Sequence, residues 1–285
     1  MLRADGYELV TVSDLLGLAP LELPAFVTSP EASAAPTALP AVTAVTATAE
    51  TTVQPVSTPT PAPASTPVPA AVPTAAEDRL TEDDVIEHGD RNVSRISITV
   101  DDCNDPAILK KMHELSVELD FPITYFVIGN QFQHKDKALW EEILNHGSEL
   151  GSHTWKHSTL TAYSTSNAET QLRKCQERVD EVLGYHYPLR LMRPPQGKYK
   201  AAGKNFLPVF EAHGVEKVIL WDVKQTNVQK ALQQTQNGSI LVFETNKTNY
   251  HCLAELIPLL KNAGYELVTV SDLLHLEPIP LQQQP

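Results

Sequence analysis

A break in composition is the first constraint on this chain. No lysine or arginine occurs from Ala4 to Asp78, and twelve of the 22 prolines fall between Pro20 and Pro73, among alanine, threonine, serine and valine. Such a segment cannot bury enough apolar surface to offset its ordering entropy, and its prolines hold it extended. Residues 20–77 are therefore expected to be a disordered linker, of the kind that spaces domains outside the cytoplasm. The compact fold must come from residues 78–285.

From Arg91 onward, short β-branched runs alternate with helical periodicity. Ile96–Val100 predicts a strand with Asp101 and Asp102 at its carboxyl end. Pro106 opens a helix to about Leu119, with Ile108, Leu109, Met112 and Leu115 on one face. Ile123–Ile128 predicts the next strand, and Ala138–His146 and Ala168–Leu183 predict two helices ended by Gly147 and Gly184. Val218–Trp221, Ser239–Phe243 and Glu266–Val270 predict three further strands, with Ala254–Asn262 helical between the last two. The alternation implies an α/β fold with a parallel sheet, and polar motifs at strand carboxyl ends imply a barrel with its site on that face.

Three segments carry the chemistry: Thr99-Val100-Asp101-Asp102, His153-Thr154-Trp155-Lys156-His157 and Arg193-Pro194-Pro195-Gln196-Gly197. Two imidazoles four apart lie one turn apart on a helical segment, so both reach one ion. Two histidines and one carboxylate leave a coordination position open, which marks a catalytic zinc site rather than a structural one. On an extended chain Asp101 and Asp102 point to different sides, so one can ligate while the other faces the activated water as base. The two prolines predict a rigid turn that fixes Arg193. Alone each segment is weak; in this order they point to a mononuclear metal hydrolase.

Here the chain resembles a known family. From about Ser94 to Leu274 it is similar to the polysaccharide deacetylases of the NodB-homology type, the metal-dependent carbohydrate esterases that remove acetyl groups from sugars. The family's T-F-D-D motif reads Thr99 to Asp102, its H-[ST]-x-x-H reads His153 to His157 after Gly147–Gly151, and its R-P-P-x-G reads Arg193 to Gly197. The resemblance implies a distorted (β/α) barrel with fewer than eight strands. It implies one divalent metal ion, of zinc type, on Asp102, His153 and His157, with Asp101 as base, Arg193 as the partner that orients it and the Gln196 N–H as oxyanion donor. Val242 and Trp221 are expected at the substrate, Trp221 being equally readable as core.

Two later motifs depart from the pattern. W-D-V-D-x-x-D-W reads Trp221 to Val228 here, with Asn227 in place of the aspartate that tunes the general acid and Val228 in place of the last tryptophan. Glu244 stands where the family has its histidine and is expected to be the general acid. The implied reaction removes acetyl groups from an N-acetylglucosamine-containing glycan such as peptidoglycan or chitin. The alternatives are a degenerate copy that mainly binds glycan and an O-acetyl esterase with weak amidase activity.

The amino terminus holds a repeat. Gly6–Leu16 is identical to Gly264–Leu274, and Leu18 and Pro20 match Leu276 and Pro278. One strand and a helix start are too short to stand alone. Residues 1–19 are thus expected to be the remnant of a preceding deacetylase domain in a tandem protein. No basic n-region with an apolar core follows Met1; an extracytoplasmic or cell-surface location is expected from the linker and the resemblance. A net charge of −13 excludes a nucleic-acid partner, and no run of 18 apolar residues predicts a transmembrane segment. Cys103, Cys175 and Cys252 form no C-x-x-C, and Cys103 reads as a small buried residue. His88, His113 and His275 are expected to be solvated.

Overall fold

The computed structural model describes residues 79–279, residue 202 excepted. The remnant assigned to residues 1–19 and the linker assigned to 20–77 lie outside the described residues.

The strands are β1 (Val85–Ile86), β2 (Arg95–Asp102), β3 (Thr124–Val127), β4 (Glu149–Ser152), β5 (Leu191–Met192), β6 (Lys200–Ala201), β7 (Lys204–Asn205), β8 (Lys217–Ile219), β9 (Ile240–Glu244) and β10 (Glu266–Val268). Between them run α1 (Pro106–Glu118), α2 (Lys137–Asn145), α3 (Thr165–Leu183), α4 (Leu207–Glu211), α5 (Val228–Gln234) and α6 (Lys247–Asn262), and α7 (Val270–Leu273) follows β10. The main sheet is parallel and runs β1-β8-β5-β4-β3-β2-β10, with β9 paired to β2; β6 and β7 form a separate antiparallel hairpin. Bridges between His88 and Ser239 and between Val223 and Leu241 join the β8 side to β9, so the sheet closes into the expected distorted barrel.

The period-two alternation of β2 divides the molecule. Ile96, Ile98 and Val100 pack in one apolar cluster with Leu109 and Met112 of α1 and Leu253, Leu256 and Leu260 of α6. Ser97, Thr99 and Asp101 therefore face the barrel interior, as does Phe126, which clusters with Leu191, Ile219, Ile240 and Val268. The interior is thus part apolar and part polar, and the polar part rises toward the strand carboxyl ends.

Several expectations shift. α6 begins at Lys247, well before Ala254, because Asn246 caps it by accepting from the Asn249 N–H. β1 and β5 are two residues long, too short for any periodicity to mark them. His113 is not solvated: it is 6 % exposed and packs edge-on against His146, and burial pushes it below the usual histidine range. Cys103 is buried as expected. Among the described residues no helix is long and apolar enough to cross a membrane.

Candidate metal centre

At the carboxyl end of β2 the strand turns sharply. Asp102 and Cys103 take left-handed φ of +70° and +55°, an uncommon conformation for non-glycine residues that must be held by its surroundings. The expected extended geometry therefore stops at Asp101. The turn swings the Asp102 carboxylate toward the end of β4, where it meets both histidines.

The histidines do not lie on a helix, contrary to the reading from their spacing. His153 directly follows β4, and the chain then turns through Thr154 (φ +69°) to His157 (φ +58°). The His157 N–H donates to Thr154 Oγ1 at 3.1 Å, closing the loop. This loop achieves what a helical turn would have done: the two imidazole centroids stand 4.7 Å apart. His153 Nδ1 lies 2.7 Å from the Arg193 carbonyl oxygen. That contact fixes Nδ1 as the protonated nitrogen and leaves the Nε2 lone pair for a ligand.

Asp102, His153 and His157 offer donor atoms that all lie within 4.8 Å of one another. Asp102 Oδ1 is 3.4 Å from His157 Nε2 and 3.7 Å from His153 Nε2. Two donors each about 2.1 Å from one tetrahedral ion stand about 3.4 Å apart, so the spacing fits a zinc-sized cation. The donor set also suits one. Asp102 Oδ1 is buried without a hydrogen-bond partner among the described residues, and burial raises the Asp102 carboxyl above its ordinary value against the pull of both histidines. Burial lowers His153, favouring the neutral imidazole that a metal requires.

Asp101 sits beside this cluster and is held from behind. Arg193, fully buried, donates through Nη1 to Asp101 Oδ1 (2.7 Å) and Thr99 Oγ1 (2.7 Å), through Nε to Ile219 O (3.2 Å) and through Nη2 to Leu220 O (2.9 Å). Its guanidinium lies 4.1 Å from the Phe126 ring centroid and 5.7 Å from that of Trp221. Asp101 Oδ2 remains on the cluster side, 3.9 Å from His153 Nε2. Thr99 belongs to the first motif, yet its side-chain role was not legible there.

The other residues singled out lie around this end of the barrel. Gln196 takes φ +61° in the turn Pro195–Gly197 and is exposed. Trp221 is half-buried, beside Arg193 and with Lys224 Nζ 5.5 Å from its centroid. Val242 is 2 % exposed and shares the interior face of β9 with Ile240 and Glu244. Glu244 pairs in register with Asp101, and its charge adds to the rise in the Asp102 carboxyl. It is half-exposed and its Oε1 lies 3.2 Å from Lys224 Nζ. Asn227 caps α5: its Oδ1 accepts from the Lys230 N–H at 3.0 Å. Asp222 is structural, accepting from Arg91, Ser239 and the Ile240 N–H and so tying the closing bridge of the barrel.

Known proteins share sequence and fold with this chain. A family described as polysaccharide deacetylase matches residues 88–218. The peptidoglycan-N-acetylmuramic acid deacetylase PdaC of Bacillus subtilis is 30% identical over 194 residues, which cover 65% of this chain and 39% of that protein. The peptidoglycan-N-acetylglucosamine deacetylase PgdA of Listeria monocytogenes is 31% identical over 189 residues, 63% of this chain and 38% of that protein. This chain thus spans under half the length of both. The solved structure of PdaC superposes with a TM-score of 0.55 at 27% identity, covering 65% of this chain and 91% of that one.

Proposed function

We propose that this chain, whose residues 88–218 match the polysaccharide deacetylase family, hydrolyses acetyl groups from an N-acetylglucosamine-containing glycan with the help of one bound divalent cation. The observation that carries this reading is the convergence of Asp102, His153 and His157 beside an Asp101 carboxylate clamped by Arg193. A structural metal site has no use for that clamped fourth group.

A zinc-type ion held by Asp102, His153 and His157 supplies Lewis acidity toward the acetyl carbonyl. The protein's own residues do the rest. Asp101 accepts the proton of the attacking water at Oδ2, because Oδ1 is engaged by Arg193. The Gln196 N–H, presented by a left-handed turn, donates to the oxyanion that develops as the carbonyl carbon becomes tetrahedral. Val242 lines the space for the acetyl methyl, and Trp221 offers an aromatic face to a sugar ring. When the carbon–nitrogen bond breaks, the amine leaves with one proton and acetate is released. Glu244 is the protein's candidate for handling that proton.

A second reading rests on the altered partners of Glu244. The Glu244 carboxylate is half-exposed and engaged by Lys224 at 3.2 Å rather than free to face a leaving group, and an alkoxide departs without the protonation that an amine needs, which favours O-acetyl esters over amides. The repeat at residues 6–16 and the peptidoglycan deacetylases among the relatives support a preceding deacetylase domain and an extracytoplasmic setting. Acetate release from N-acetylglucosamine oligomers and from an O-acetylated sugar tests both readings. Activity abolished by Asp101→Asn on either substrate is expected; no acetate from both substrates by the metal-loaded chain overturns the enzyme reading.

A further inference from the structure

The loop that carries the two histidines is seated on α3. The Gly129 and Asn130 N–H groups donate to the carbonyls of Thr154 (2.9 Å) and Trp155 (3.1 Å), and the Lys156 N–H donates to Gln171 Oε1 at 3.0 Å. A Cβ at Gly129 would lie 2.8 Å from Trp155 Cε3 and 2.8 Å from Cys175 Cα, so glycine is what lets indole and helix meet there. Lys174 and Arg178, one turn apart on α3, reach over the same indole. Lys174 Nζ lies 5.9 Å and Arg178 Cζ 5.5 Å from its ring centroid.

Like charges at i, i+4 on a helix repel. Acids outnumber bases 35 to 22 in this chain, yet among the described residues no carboxylate pairs with Lys156 or Lys174, and both lysines are exposed. Arg178 has one carboxylate, Glu181, and shares it with His134. The neighbouring Arg173 is different: it holds both carboxylate oxygens of Glu177, at 2.6 and 2.8 Å. The indole face offsets part of the repulsion between Lys174 and Arg178 but cancels none of their charge. Positive charge is thus concentrated at the loop that ends in His157. Across the metal centre the exposed cation, Lys224, is already engaged by Glu244.

We propose that Lys156, Lys174 and Arg178 form an anion-binding surface for an acidic glycan, one whose sugars carry carboxylates, and that these carboxylates lie on the His157 side of the reacting acetyl group. That the polymer is a glycan rests on the hydrolase reading above. Its acidity rests on the charge placed beside the metal centre. A surface of one sign raises the local concentration of an oppositely charged partner, and the gain falls as salt screens it. Exposed lysines hold such a partner by charge, without a fixed hydrogen-bond geometry. The surface therefore selects for repeated carboxylates along a strand, while the acetyl group is recognised at the metal centre.

Calorimetric binding of two oligosaccharides of equal length tests this. One is hyaluronan, in which N-acetylglucosamine alternates with glucuronate; the other is neutral chitin. At about 20 mM salt the acidic oligomer is expected to bind at least about tenfold more tightly, and at about 200 mM salt the advantage should fall below about threefold. Lys156→Gln with Lys174→Gln should bring the two affinities within about threefold at low salt. Arg173→Gln removes a positive charge from the same helix outside the surface and should keep the preference. Equal affinities in the parent chain overturn the proposal, as does an equal loss of preference in Arg173→Gln. Polyglutamate bound as tightly as hyaluronan also overturns it, because no sugar is then recognised. A metal-loaded chain that releases no acetate counts against the hydrolase reading alone and leaves this comparison of affinities standing.

Discussion

Asp101 Oδ1 and Arg193 Nη1 stand 2.7 Å apart, and the same guanidinium spends Nε and Nη2 on the carbonyls of Ile219 and Leu220. The base is thereby fixed to the ends of β5 and β8 by one rigid fork, a geometry that lysine cannot reproduce. Arg193→Lys should lower kcat by about 100-fold, the scale of a 1 Å misplacement, with KM changed less. Arg193→Met leaves the Asp101 charge without its buried partner and should cost about 3–5 kcal/mol of stability. Steady-state acetate release and urea unfolding read the two effects.

Gly151 supports the same clamp from a distance. A Cβ at this position would lie 2.6 Å from the Phe126 ring, and Phe126 is the floor on which the Arg193 guanidinium rests. Gly151→Ala should therefore cost about 1–3 kcal/mol through overpacking and should lower activity although residue 151 touches neither base nor ligands. Pairing it with Phe126→Leu, which frees the space, should restore part of both.

Glu149 gives a pH dependence with a definite sign. Its carboxyl is almost fully buried, and burial raises it above the ordinary value despite hydrogen bonds from Ser271 and Thr124. A folded-state value above the unfolded one means stability is fully present below the unfolded value of about 4.3 and is lost as pH rises through the folded value. Glu149→Gln keeps an acceptor for the Ser271 N–H and removes the ionisation. In urea titrations the variant should lose less stability than the parent as pH rises from the unfolded carboxyl value of about 4.3 through the raised folded value.

The leaving-group side should respond to a paired change. Glu244→His with Asn227→Asp restores the residue types that the related pattern carries. Aspartate caps a helix as well as asparagine does, so α5 is retained. The lost Lys224 pair is exposed and worth at most about 1 kcal/mol. Amide hydrolysis should rise at least tenfold, at the lower edge of what a positioned acid contributes, while ester hydrolysis changes little. Equal gains on both substrates would remove Glu244 from the proton-transfer role.

Much of this site was readable before any coordinates because its ligands sit at strand ends that carry their own periodicity. Ile96 to Val100 alternates cleanly, and Asp101 and Asp102 follow it directly. What spacing misread was the local backbone. His153 and His157 look helical at i, i+4, yet positive φ at Thr154 and His157 builds a loop. Asp102 likewise leaves the extended path. Left-handed residues other than glycine leave no mark in a sequence, since they are imposed by tertiary contacts rather than by propensity. The Lys224–Glu244 pair was hidden for another reason: it joins residues twenty apart that only β8 and β9 bring together.

Metal binding to the stripped chain, followed by calorimetry and by elemental analysis of the zinc retained, is the most direct test of the central claim. One equivalent is expected, with affinity reduced at least about 100-fold by His153→Ala, whereas Asp101→Asn retains the metal and releases no acetate. A chain that binds no ion, or a His153→Ala variant that binds it as tightly as the parent, would contradict the assignment of Asp102, His153 and His157 as one metal centre.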